Sequence, residues 1–344
     1  MAMGWGMHET SKDRSKEPAV AWQPWWALAF IGGVMGLIML LAPYETFPLL
    51  PREHMFDYPW KLPDPSLWTR SIVWTLYGLH QVGIWYLIYK AKSQNLKYTK
   101  GLHSVNVQAL LLNGVFVLIH IAQTKLSYDG LAQDVPEFTA LASVALLLFA
   151  IIIMENDRRG MFFGKKAPMP AGVGDVVRRY HGYYFSWAIT YTFWYHPMAD
   201  TPGHLMGFFY MFMLFVQGSL FFTRAHVNRW WTAFLELFVV IHGTTVAYFH
   251  IAGQAGPGWA QFLFGGLGIF LITQLHGVNL TRLQKWLVAG AVFAVAASYY
   301  ASHLDELVQV PRVIVSRYVL VAILAVLIWL VMKLVLRGRS PSQA

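Results

Sequence analysis

Thirteen histidines in a chain without cysteine set the first chemical question. Seven of them, His80, His120, His196, His204, His242, His250 and His303, fall in or beside long apolar runs. Ionisable residues inside a membrane are costly and point to function by default. The interval from Asn106 to His120 is 14 residues, and so is that from Asn228 to His242. At about 1.5 Å rise per residue each interval climbs roughly 21 Å, so His120 and His242 are expected at one depth. Two neutral imidazoles so placed are candidate axial ligands for a haem b iron, or members of a His-bound transition-metal site. His80 and His204 form a second candidate pair for the same cofactor. His196 and His250 are the further metal-ligand candidates. His250 follows His242 by eight residues, a helical offset of about 80°, so both can border one cavity. The competing reading is a set of hydrogen-bonded interface histidines, with His196, His204 and His303 in wet loops.

Two carboxylates are candidate catalytic groups. Glu236 is well inside an apolar run, where it can serve a proton relay or an ion path; alternatively it pairs with Arg229 or bonds across helices. Asp200 lies between His196 and His204 in a turn punctuated by Pro197, Pro202 and Gly203, and can join them in acid–base chemistry. The aromatic run Tyr184, Trp187, Tyr191, Trp194 and Tyr195 follows i, i+3, i+4 spacing. It either packs a core or lines a flat ligand such as a porphyrin or quinone. His103, His181, His226 and His276, with Asn106, Asn228 and Asn279, sit near helix starts, where polar side chains satisfy orphan N–H groups. Local catalytic motifs are missing: the chain has no HExxH, no G-x-S-x-G elbow and no P-loop.

The elements that must position these groups follow from composition. The chain has 344 residues, 56% hydrophobic and only 12% charged, about half the charge of a soluble domain. This excludes a disordered chain and a disulfide scaffold, and argues against a soluble enzyme. Ten apolar runs are long enough to approach a roughly 30 Å hydrocarbon layer: 26–44, 71–90, 105–124, 138–154, 182–196, 204–223, 230–250, 259–275, 285–300 and 313–336. The fold class expected is all-α, a polytopic transmembrane helix bundle of about ten spans. A tail (1–22) precedes a single membrane domain (23–340).

Lys and Arg favour the cytoplasmic side. With both termini inside, 20 of the 26 basic residues fall in inner segments. The net charge of +9 is then a topology signal rather than a nucleic-acid footprint. Compact loops make a bacterial inner membrane the expected location, with membrane lipids as neighbours.

Self-similarity adds a further expectation. Thr99…His103…Val105-Asn106, Thr223…His226-Val227-Asn228 and Thr273…His276…Val278-Asn279 share a pattern. Residues 116–120 (FVLIH) align with 238–242 (FVVIH), and 80–86 with 204–210. This predicts a parallel internal repeat of two four-helix units, 71–196 and 204–303, between flanking spans 26–44 and 313–336. The expected function is a membrane redox protein holding haem or metal and acting on a quinone-like or lipid-like substrate. The alternatives are a small-solute or ion transporter with Glu236 in its pathway, a lipid-modifying enzyme, and a structural membrane subunit.

Overall fold

The computed structural model describes residues 20–44, 47–50, 58, 60–251 and 258–337, with the backbone alone at 250–251 and 336–337. The tail residues 1–19 and the side chain of His250 therefore lie outside the described residues. Among those described are ten α-helices and no β-sheet, only isolated bridges. The helices are α1 (Pro24–Leu41), α2 (Leu67–Ser93), α3 (Ser104–Ser127), α4 (Glu137–Arg159), α5 (Val173–Tyr195), α6 (Pro202–Ser219), α7 (Arg229–Ile251), α8 (Gly258–Ile272), α9 (Arg282–Tyr300) and α10 (Gln309–Arg337). Each of the ten apolar runs contributes to one helix. Six segments are long and apolar enough to cross a membrane: Pro24–Tyr44, Ser104–Ser127, Glu137–Arg159, Arg229–Phe249, Gly258–Gly277 and Leu304–Val335. Leu40, Tyr86, Leu111, Leu126, Phe293 and Leu334 are exposed, as expected where lipid rather than water is the solvent. The chain is an integral membrane protein.

Helix starts are written locally. Ser66 accepts from the Thr69 amide, and Thr201 accepts from the His204 amide with Pro202 behind it. Thr281 and Gln284 form a reciprocal capping box. His103 and Asn106 do the same at α3, with histidine in the place usually held by Ser or Thr. At the end of α4, Gly160 takes φ +77°, which L side chains rarely adopt. An added Cβ there would stand 2.5 Å from the Gly164 carbonyl carbon.

α5 is the hub. It packs against α2, α4, α6 and α10, and its last turn, Phe193, Trp194 and Tyr195, is fully buried. The main core gathers around that turn from α1, α2, α3, α6 and the first half of α7, with Ile38, Val73, Phe116, Phe208 and Leu235 among its members. Smaller clusters join α4 to α10 and α8 to α9 and α10.

The two expected repeat units do not pack alike. In the first, α2 rests on both α3 and α5, and α4 on α5; in the second, α7 packs on both α6 and α8, while α9 leans on α8. The Thr99 and Thr223 segments, between α2 and α3 and between α6 and α7, pair directly through a parallel bridge.

Candidate functional site: a histidine belt around Trp194

Four of the candidate histidines, His120, His196, His204 and His242, gather toward one end of the bundle, called here the His204 end, and His80 adjoins them from midway along α2. The order around the α5 terminus is His80, His120, His196, His204, His242. His80 and His120 both contact Phe193 and Trp194. His120 reaches the His196 carbonyl. The rings of His196 and His204 are 5.9 Å apart. His196 and His242 are the electrostatic neighbours of His204.

The hydrogen bonds divide the belt in two. At His80 the Trp194 indole N–H donates to Nδ1 at 3.2 Å, which leaves the proton on Nε2. That N–H donates to Asn113 Oδ1 at 2.8 Å, Asn113 Nδ2 donates to Ser219 Oγ, and Ser219 donates to the Phe215 carbonyl. One saturated chain thus ties α2, α3, α5 and α6 together. His120 stands between two acceptors, Gln123 Oε1 and the His196 carbonyl, each at 2.8 Å. The Gln123 amide cannot be reversed at no cost, because its Nε2 donates to the Asp129 carbonyl. Neither His80 nor His120 keeps a ring nitrogen free for a metal.

The other three are less committed. His196 donates Nδ1–H to the Thr192 carbonyl at 3.0 Å, and its Nε2 has no hydrogen bond among the described residues. His204 meets Thr201 Oγ1 at 2.8 Å on Nδ1, and the Tyr58 hydroxyl on Nε2 only at the 3.5 Å limit. Trp60 closes edge-on over His204 at 4.9 Å. The Nδ1 of His242 is buried and has no hydrogen-bond partner among the described residues. Its ring lies over Gly207, where an added Cβ would stand 3.0 Å from Cε1. His204 is buried and His196 half-buried, so neither is the wet loop histidine allowed for above. His303 stacks on Tyr299 at 4.4 Å. Asp200 is exposed and makes no hydrogen bond or ion pair among the described residues.

These facts bear on the cofactors expected. Phe193, Phe208, Phe212 and Tyr210 are buried around the belt, and Phe193 contacts both Phe208 and Phe212. A porphyrin between His120 and His242 would displace such rings and take one His120 nitrogen from its present partner. Among the described residues no group of three or more His, Asp or Glu is arranged to hold a metal ion. The aromatic face of α5 is filled by itself: Trp187 stacks on Tyr191 at 5.6 Å, flanked by Tyr184 and Tyr195.

Glu236 sits toward the opposite end, and its partner is Arg159, not Arg229. Arg159 Nη1 donates to Oε1 at 3.0 Å, and Nη2 lies 2.8 Å from Oε2. Arg229 instead donates to Asn279 Oδ1. The last residue of α4 therefore turns inward rather than joining the exposed basic loop.

The histidines of this opposite end stitch the chain. His103 caps α3, while Asn106 donates to the Ser219 and Phe221 carbonyls. Asn228 accepts from the Trp230 and Trp231 amides at the start of α7. His226, in the α6–α7 connection, donates Nδ1–H to the Gln217 carbonyl at 2.9 Å. Burial first, and then nearby His181, pull its pKa from the ordinary 6.5 down to about 4. The unfolded state then binds more protons between those values. Stability contributed by neutral His226 should be complete above about pH 6.5, decline as pH falls toward 4, and level off below. Melting temperature measured from pH 8 to 4 should show this decline in the wild type and a shallower one in H226Q. Equal slopes would refute it.

Tyr58, Tyr210 and Arg159 were not legible as site members: each meets its partner through a fold contact, with no local motif. The chain matches no known family, no curated protein and no solved structure.

Proposed function

We propose that this protein moves protons, alone or with a small solute, across a membrane, and that His196, His204 and His242 carry the proton at the His204 end. One observation carries the reading. Three buried or half-buried imidazoles stand together: His196 Nε2 and His242 Nδ1 have no hydrogen bond among the described residues, and His204 bonds only to hydroxyls, which can donate or accept. Imidazole exchanges protons near neutral pH, and a ring separation of 5.9 Å is small enough for one water or a ring rotation to bridge. Tyr58 and Thr201, the remaining partners of His204, supply hydroxyls that lengthen the path. The positive-inside pattern supports ten spans with both termini cytoplasmic and the His204 end outward, in a bacterial inner membrane. The shared Thr…His…Val-Asn pattern and the matching 116–120 and 238–242 runs support descent of the two hairpins from one ancestor.

The test is proton flux in liposomes with an enclosed pH dye. H204Q and H242Q should each lower flux by about a hundredfold with elution volume and melting temperature retained. Wild-type flux equal to that of empty liposomes, or full flux in both variants, refutes the reading.

A redox role on a quinone-like or lipid-like substrate is the second reading, supported by Trp194 lying between His80 and His120. Bound haem b or a transition metal would have to reorder the rings around His120. A Soret band or stoichiometric metal in purified protein would favour it.

A further inference from the structure

The proton-transfer reading begins at the His204 end and leaves unexplained a buried ion pair toward the other. The Arg159 and Glu236 side chains are 1% and 8% exposed. Such a pair returns its desolvation cost only when geometry is excellent and every donor and acceptor is used. Here that condition fails. One N–H···O bond is well aligned. The second contact is close in distance but misaligned, so Glu236 Oε2, Arg159 Nη2 and Arg159 Nε have no aligned hydrogen bond among the described residues. The second carboxylate oxygen is held by charge and not by direction.

Tyr210 gives this arrangement a use. Tyr210 on α6 is buried, lies within electrostatic reach of Glu236, and stacks on Phe238 at 5.5 Å. Its ring is 6.2 Å from that of His242, whose Nδ1 is buried with no hydrogen-bond partner among the described residues. The other charged or titratable groups around the pair are Glu155 and Arg158 of α4, themselves paired, and Tyr318 of α10, bonded to Thr273.

Resting on the proton-transfer reading of the histidine cluster, we propose that Glu236 and Tyr210 are the other half of the same path. Glu236 alternates between Arg159 and Tyr210 and passes protons to His242. A proton entering from the Arg159 side forms an O–H on the carboxylate and weakens its attraction to the guanidinium. The acid rotates toward Tyr210 and gives that proton to the phenol oxygen, while the phenol gives its own proton to the unprotonated nitrogen of His242. The carboxylate is regenerated and returns to Arg159, Tyr210 ends neutral, and His242 ends as imidazolium beside His204.

The test uses the full chain in dye-loaded liposomes under an imposed pH gradient, comparing wild type, Y210F, E236Q and H204Q. The Tyr210 hydroxyl makes no hydrogen bond among the described residues, so Y210F should fold and melt like the wild type while losing flux by about a hundredfold. E236Q should lose flux equally, and Y210F alone decides the matter if E236Q does not fold. Flux in Y210F within about twofold of wild type, with H204Q impaired, overturns this path and leaves the histidine reading standing. No flux in the wild type removes both.

Discussion

Replacing Arg159 with Met should cost about 3–5 kcal/mol of folding stability, because it strands a buried carboxylate without its counter-charge. The guanidinium is almost fully enclosed, and Gly277 presses on its stem: an added Cβ there would lie 3.0 Å from Cδ. Water therefore has little room to replace it. Glu236→Gln should be costly as well, since it strands the arginine. The double variant R159M/E236Q removes both charges and should lose less than the sum of the two single losses, for a coupling energy of about 2–3 kcal/mol. Unfolding in mixed micelles measures all four proteins. Additive losses would mean that the two groups do not sense one another. A single R159M within about 1 kcal/mol of wild type would mean that solvent reaches the pair.

The partner that matters here is hidden from the sequence for a definite reason. Arg159 follows Arg158 and precedes Lys165 and Lys166, so by position it belongs with the basic residues of an inner loop. Its inward turn depends on Glu236, 77 residues later. Charge patterning along a chain reports which end of a helix faces the cytoplasm, and is silent about a side chain that folds back into the bundle.

The helices were legible because hydropathy records contact with lipid. α1, α4 and the segment ending in α10 are apolar on the faces that meet the acyl chains, and their hydropathy alone marks them as spans. Hydropathy reads less clearly where a helix is surrounded by protein. α5 was expected over 182–196 but begins at Val173. Its first turns carry Asp175, Arg178 and Arg179, and Arg178 pairs with Asp157 and Asp175. Its later polar groups are spent on neighbours: Tyr191 with Thr139, Thr192 with Ser143. A hub helix needs partners more than grease, so its composition understates its burial.

Depth arithmetic on the histidines behaved similarly. Equal 14-residue intervals placed His120 and His242 at the same end of the bundle, and there the structure has them. Rise per residue fixes height only. Whether a ring nitrogen is free depends on who stands beside it, and the neighbours of His120 are Gln123 and the carbonyl of His196, 76 residues away. The sequence also offered no reason to separate His80 and His120 from His196, His204 and His242. That division comes from a tryptophan N–H and two carbonyl groups.

Trp194 provides the second large expected effect. Its side chain is fully buried, in ring contact with His80, His120, Phe116 and Phe193, and its N–H fixes the His80 tautomer. Trp194→Ala should cost about 3–5 kcal/mol through the cavity alone, with about 1–3 kcal/mol more for the His80 nitrogen left without a donor. Trp194→Phe keeps most of the volume and loses the N–H, so it should cost the smaller part only. Trp230→Ala, at a side chain 54% exposed, should change stability by less than about 1 kcal/mol. The comparison with Phe separates two causes. A W194F protein nearly as stable as wild type means that ring volume holds the belt together and that His80 tolerates either tautomer. A W194F protein as weak as W194A means that the indole hydrogen bond holds the Asn113–Ser219 chain in register. In that case H80N, which removes the acceptor from the other side, should add little to the loss already caused by W194F, because both changes cut one chain.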